Sequence, residues 1–178
     1  ESNPISNTHP RSHGDPARAL RRLAVRLGVQ QKTVGLMTAV PMKQLVMARV
    51  SSGDVWVECF ATVGVTNAVK AGERPETDVC RSQAAGPGTI NLIVVTNACL
   101  SSAAMVGAVQ VATESKTGVL RDHAVPSWTG HPGATGTGTD AVVIACRLRG
   151  QGAWHVYSGT HTMIGALIGH AVTRCVTR

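Results

Sequence analysis

At 178 residues the chain is long enough to bury a proper core, and a hydrophobic fraction of 43% excludes wholesale disorder. Aromatics make up only 3%, so that core must come from Val, Ala, Leu, Ile and Met, and no stretch approaches the roughly 20 apolar residues of a membrane span. The net charge of +7 is concentrated at Arg18, Arg21, Arg22, Arg26 and Lys32; without interleaved aromatics or a recognition motif this reads as a solvated helix face, not a nucleic-acid surface.

Residues 1–14 carry no basic-apolar-small leader and are expected to form a flexible polar tail. The five cysteines, Cys59, Cys80, Cys99, Cys146 and Cys175, include no CxxC pair. Four lie in or beside apolar runs, so they are expected as free thiols in a reducing compartment.

Asp15 followed by Pro16 is a helix start, with a capping carboxylate and then proline at the first helical position. Leu20, Leu23, Ala24 and Leu27 supply a helical stripe, and Gly28 a stop. Val34–Val40 reads as a short strand or buried turn. Lys43–Val50 and Asp54–Val65 read as a hairpin joined at "SSGD". Glu73–Gly88 is a polar loop, and Thr89–Thr96 ("TINLIVVT") an apolar, central strand. Leu100–His123 is a long helix capped by Ser101 or Ser102. After a second loop, Pro126–Thr139, come a buried strand at Ala141–Cys146, a short strand at Trp154–Ser158, and a last helix, His161–Val176, capped by Thr160. With no linker dividing residues 15–178, the pattern implies a single α+β domain whose mixed or antiparallel sheet is packed by helices.

Several polar residues stand where apolar runs meet turns. Stepping along the long helix by about 100° per residue puts Lys116 on the face of Met105, Val109, Ala112, Val119 and Leu120, with Glu114 opposite. A lysine there is costly unless paired, or else it snorkels at the helix end. Asp140 follows the loop "GATGTGT" at the mouth of a strand, where it could orient a base, activate water or stabilise its own turn. That loop lacks the lysine and spacing of nucleotide fingerprints, but its amides at Gly136 and Gly138 could still form an oxyanion nest. His161, in "SGTHT", is placed by this reading at a helix N-terminus, which favours a neutral imidazole. Asn67, Asn91 and Asn97 lie in or beside apolar runs. "TNA" at Thr66–Ala68 and Thr96–Ala98, with "TDA" at Thr139–Ala141, suggests junctions that line one polar pocket. No GxSxG, HExxH or HxE…CxxC motif occurs, and Asp140 with His161 offers too few ligands for a metal.

Five segments, "TVGLMTAV", "VTNAVKAGE", "GTINLIVVTNACLSSAAMVGAVQVATESKTGVL", "ATGTGTDAVVIAC" and "SGTHTMIGALIGHAV", taken in order, resemble the adenosylcobinamide amidohydrolase family. Members of that family carry more chain ahead of this region, so the domain is expected without the family's N-terminal strands. The resemblance implies a cytoplasmic enzyme of corrinoid salvage that cleaves the aminopropanol amide of adenosylcobinamide to adenosylcobyric acid. The cobalt-containing corrinoid would be its substrate. No cofactor, nucleic acid or membrane is implied, and oligomer formation is left open. Amide hydrolysis needs a nucleophile, a base and a stabilised oxyanion. Asp140 and His161 are the candidates to activate water or the hydroxyl of Thr139 or Thr137. Lys116 is the candidate for charge stabilisation, and Asn67, Asn91, Asn97, Thr137, Gly136, Gly138, Thr160 and Glu114 are candidates for substrate contact. The alternative is a non-catalytic corrinoid-binding or small-ligand module.

Overall fold

The computed structural model describes residues 15–73 and 88–178. They fall into two compact units that meet in sequence at Met37 and Thr38. In the first, helix α1 (Pro16–Arg26) begins where the sequence pattern requires: Asp15 accepts from the Ala17 amide at 3.0 Å, and Gly28 lies beyond the helix end with φ of 71°. Of its stripe only Leu20 and Ala24 are half-buried, and its arginines are exposed. Residues 29–37 contain no strand, so the short strand expected at Val34–Val40 is absent. Of the strand or buried turn expected there, the second fits better: Val34 and Met37 are exposed, while Val40 is buried in a bend just before Pro41.

The second unit holds the α+β fold. A single 3₁₀ turn (Met42–Gln44) precedes β1 (Val46–Ser52) and β2 (Val55–Val63), which pair antiparallel in register Ser52 to Val55. That leaves a two-residue loop, and Gly53, its first member, takes the positive φ of 54° that tight hairpins need at this position. The strand β4 (Ile90–Thr96) pairs antiparallel with β2 and parallel with β7 (Ala141–Ala145), so the sheet order is β1-β2-β4-β7 and the sheet is mixed. Two-residue strands β3 (Ala68–Val69) and β6 (Gly136–Thr137) pair with each other, as do β5 (Cys99–Leu100) and β8 (Trp154–His155). The parallel β4–β7 pair needs a crossover connection, and helix α2 (Ser102–Asp122) lies in it.

Helix α3 (Met163–Val176) packs on β1 and β2, while α2 packs on α3 and β7. Both cover the sheet face formed by Val57, Cys59, Ala61, Ile90, Leu92 and Val94, where the core gathers. β4 is central, as its largely apolar run suggests, although Asn91 interrupts the run and Ile93 is exposed. β7 differs from the expected buried strand: it is an edge strand with one partner, and every residue in it is only half-buried. Cys59, Cys99 and Cys175 are buried free thiols, and Cys146 is half-buried; Cys80 lies outside the described residues. No described helix is long and apolar enough to cross a membrane.

Two helix details differ from the sequence pattern. The buried stripe of α2 is Ala104, Ala108, Val111, Ala112, Lys116, Val119 and Leu120, while Met105 and Val109 face outward. Small side chains at Ala104, Ala108 and Gly107 allow close approach: a Cβ on Gly107 would lie 2.8 Å from Ser158 Oγ. The bulkier Met105 and Val109 are left outside. The last helix starts at Met163, capped by Thr162, whose hydroxyl accepts from the Gly165 amide at 3.0 Å; Thr160 and His161 remain in the preceding turn.

Ser101 caps α2 by accepting from the Ala104 amide at 3.0 Å, and its hydroxyl also donates to the Val156 carbonyl at 2.7 Å. Ser101→Ala should therefore lower stability by about 1–2 kcal/mol, seen as a lower urea midpoint at unchanged slope.

Candidate functional site

Lys116 is a lysine on a buried helix stripe, and the sheet supplies its partner. Its Nζ lies 2.5 Å from Asp140 Oδ2, with the two side chains 8% and 13% exposed. Asp140 sits where the 138–140 turn enters β7, beside the start of β4. Its Oδ1 accepts from the Ile90 amide at 2.9 Å and from the Thr137 hydroxyl at 2.5 Å, and its Oδ2 also accepts from the Thr137 amide at 3.0 Å. A carboxylate has about four lone-pair directions, and all four are taken. Asp140 therefore ties α2, β4 and β6 together and closes its own turn.

Gly136 is needed for this meeting. A Cβ there would fall on Asp140 Oδ2 and within 2.7 Å of Lys116 Nζ. Around the pair, the Thr89 hydroxyl donates to the Thr139 carbonyl at 2.9 Å, and the Thr139 hydroxyl to the Gly88 carbonyl at 3.4 Å. Thr139 and Gly138 are exposed, whereas Thr137 is buried. Asn67 precedes β3, whose Ala68 pairs with Thr137, and its Oδ1 is buried without a partner. Asn91 is buried in β4, in register with Ala141, the residue after Asp140. The structure thus gathers Lys116, Asp140, Thr137, Thr139, Gly136, Gly138, Asn67 and Asn91 at one end of the sheet.

Four expected residues lie elsewhere. Asn97 is at the far end of β4, where its side chain accepts from the Trp56 amide at 2.8 Å and donates to the Asp54 carbonyl at 2.7 Å, bracing the β1–β2 hairpin. Glu114 is exposed on the solvent side of α2 and accepts from Gln110 at 2.9 Å. Thr160 and His161 are exposed in the turn after Ser158, whose hydroxyl donates to the Ala104 carbonyl near the start of α2. Lys116 lies twelve residues further along that helix, roughly 18 Å at 1.5 Å per residue. The "TNA/TDA" echo is therefore split, with Asn67 and Asp140 together and Asn97 apart.

Thr89, Gly88 and Thr66 belong to this end and were not singled out in the sequence. The available signal was "GTI", a small residue and a hydroxyl directly before the central strand. Among the described residues, no three His, Cys, Asp or Glu side chains gather closely enough to hold a metal ion.

A second polar cluster stands beside the site. Glu73 accepts from the hydroxyls of Thr129 at 2.5 Å and Ser127 at 3.0 Å, and from the Lys70 amide at 3.0 Å. The Thr129 hydroxyl, then the Lys70 amide, hold its carboxyl below the ordinary value of 4.5. A depressed folded value stabilises the fold above the unfolded value and is lost as pH falls through the folded one. Carboxyl NMR should show Glu73 titrating below pH 4.5, and Glu73→Gln should flatten the stability loss over that acid range.

Removing one partner of a buried ion pair strands the other. Lys116→Met should cost about 3–5 kcal/mol, and the Lys116→Met/Asp140→Asn double variant less than the sum of the two single changes, as measured by urea unfolding.

Residues 3–178 match the family model described as adenosylcobinamide amidohydrolase. The chain is 33% identical over 130 residues to an adenosylcobinamide amidohydrolase of Methanosarcina mazei, covering 73% of this chain and 54% of that protein. It is 36% identical over 132 residues to one of Halobacterium salinarum, covering 74% and 51%. An uncharacterized protein of Methanocaldococcus jannaschii is 32% identical over 168 residues, covering 85% and 64%. The chain spans between half and two thirds of the length of these relatives. No solved structure matches it. With the family model matched along nearly its whole length, the chain belongs to the adenosylcobinamide amidohydrolase family.

Proposed function

We propose that this protein hydrolyses the amide between the aminopropanol arm and the corrin ring of adenosylcobinamide, releasing adenosylcobyric acid and aminopropanol, as a cytoplasmic step of corrinoid salvage. One observation carries the assignment of the site: the Thr137 hydroxyl donates to a carboxylate that is itself paired with a buried lysine. Amide cleavage uses such an array directly. Thr137 Oγ1 attacks the amide carbon while its proton passes to Asp140 Oδ1. Lys116 has two further N–H groups to stabilise the developing oxyanion. Collapse expels the amine, which takes the proton from Asp140, and water then cleaves the threonyl ester to release the acid and restore Thr137. Thr139, Gly138 and Asn67 lie near this array and would contact substrate; Asn91, between the core residues Ile90 and Leu92, faces the other side of the sheet.

A second reading has its own support. The four donors saturate Asp140 and fix it in place, which suits a structural hub in a corrinoid-binding module that does no chemistry.

The two readings part on one experiment. The purified protein is incubated with adenosylcobinamide, and mass spectrometry follows adenosylcobyric acid and aminopropanol. Catalysis predicts turnover that Thr137→Val lowers on the order of 10²–10⁴-fold and Thr137→Ser largely restores. Corrinoid binding with no product would favour the module, and unchanged turnover in Thr137→Val would exclude Thr137 as nucleophile.

A further inference from the structure

The entry to β7 lies outside the sheet's own ladder. β7 has one strand partner, and its pairing with β4 begins only at Ala141, opposite Asn91. Thr139 and Asp140 stand ahead of that first pair, and the three residues leading into β4 hold them instead. The Ile90 amide donates to Asp140 Oδ1 at 2.9 Å, the Thr89 hydroxyl to the Thr139 carbonyl at 2.9 Å, and the Thr139 hydroxyl to the Gly88 carbonyl at 3.4 Å. The Thr89 bond differs from the others in being a side chain's grip on the main chain of the turn. The Thr139 carbonyl belongs to the planar peptide that ends at the Asp140 Cα, so holding it sets the direction in which the Asp140 side chain leaves the backbone. Thr89 is suited to this. It is buried, its own carbonyl is anchored by the Gly64 amide at 2.9 Å, and its β-branched side chain keeps the hydroxyl in few rotamers.

We propose that Thr89 is a positioning residue, whose hydroxyl holds the Thr139 carbonyl so that the Asp140 carboxylate stays in reach of both the Thr137 hydroxyl and Lys116. Its kinetic consequence rests on the proposed hydrolysis; its effect on Asp140 does not. The bond is not needed to build the sheet. The β4–β7 ladder runs from Asn91 to Val95 without it, and Thr139 is exposed, so water can take its carbonyl when the hydroxyl is removed. What the loss changes is the aim of the carboxylate. The Thr137 proton passes to Asp140 only within hydrogen-bond reach, and a displacement of about 1 Å at a reacting group can cost about 10²-fold in rate.

The test compares Thr89→Val, which keeps the shape and loses the donor, with Thr89→Ser, which keeps the donor; Thr89→Ala replaces the valine variant if that one does not fold. The first readout requires no turnover. Hydrogen exchange followed by NMR reads the Thr137 and Ile90 amides, both of which donate to the Asp140 carboxylate. In Thr89→Val both should exchange about tenfold faster or more while the amides of the β1–β2 hairpin keep their rates, and Thr89→Ser should return them toward wild type. A merely structural threonine would loosen hairpin and site together. The second readout is hydrolysis of adenosylcobinamide. Here kcat should fall about tenfold or more in Thr89→Val with KM within about twofold, and Thr89→Ser should recover most of it. Exchange at Thr137 and Ile90 that is unchanged, or raised together with the hairpin, overturns the inference, as does a Thr89→Val kcat equal to that of an active wild type. A wild type without turnover, alongside selective exchange at Thr137 and Ile90, would sink the hydrolytic reading and leave the positioning of Asp140 standing.

Discussion

The structure depends on one ion pair, Lys116 with Asp140. A lysine on the inner stripe of α2 cannot be buried alone, and the residues around it are arranged to answer that charge. Asp140 is brought to it by a turn that closes on its own carboxylate through the amide and hydroxyl of Thr137. The same carboxylate takes the Ile90 amide, the first of the central strand, so β4 is placed against β7 at their common starting end. Gly136 carries no side chain because the space a Cβ would occupy belongs to the pair. Removing the pair would therefore loosen three segments far apart in sequence. An apolar pair of similar volume could be as stable, so stability alone does not account for the charges.

The pair also gives the unit two unlike ends. At the start of β4, Thr137, Thr139 and Thr89 stand around a charged centre, with Asn67 nearby in the residue before β3. At the other end, Asn97 braces the hairpin and Ser101 and Ser158 join α2 to the residues that lead into α3. The second set is spent on backbone groups: each side chain bonds a carbonyl or amide of the main chain. Only the first set contains hydroxyls beside a buried charge. Function is argued at that end for this reason, and His161, which sits at the other, has no route to Asp140 within its turn.

Much of this was legible in the sequence. Asp15 with Pro16, Ser101 before a long apolar-periodic run, and the two-residue turn at Gly53 are local signals, and local signals place elements well because the interactions that make them lie within a few residues. Lys116 was legible for a related reason: helical periodicity is rigid enough to show a charge on the inner face, even though the face itself was drawn one residue off. What could not be read was which strand end faces which. The "TNA" at Thr66–Ala68 and that at Thr96–Ala98 are the same three residues, yet one precedes β3 and the other follows β4, and only the sheet order separates them. The expected placement of His161 at a helix N-terminus differs through a cap. Thr160 and Thr162 are equally good capping residues, and the choice of Thr162 follows from Gly159, whose carbonyl takes both the amide and the hydroxyl of Thr162.

Asp140 and Asn67 are opposite cases of one accounting. Asp140 has every lone pair filled, so its position is over-determined and its charge is held still. Asn67 has a buried oxygen with none filled, at a residue that is half-exposed and one step from the strand partner of Thr137. A charge held still by four donors is what preorganisation asks of the part of a site that stabilises developing charge.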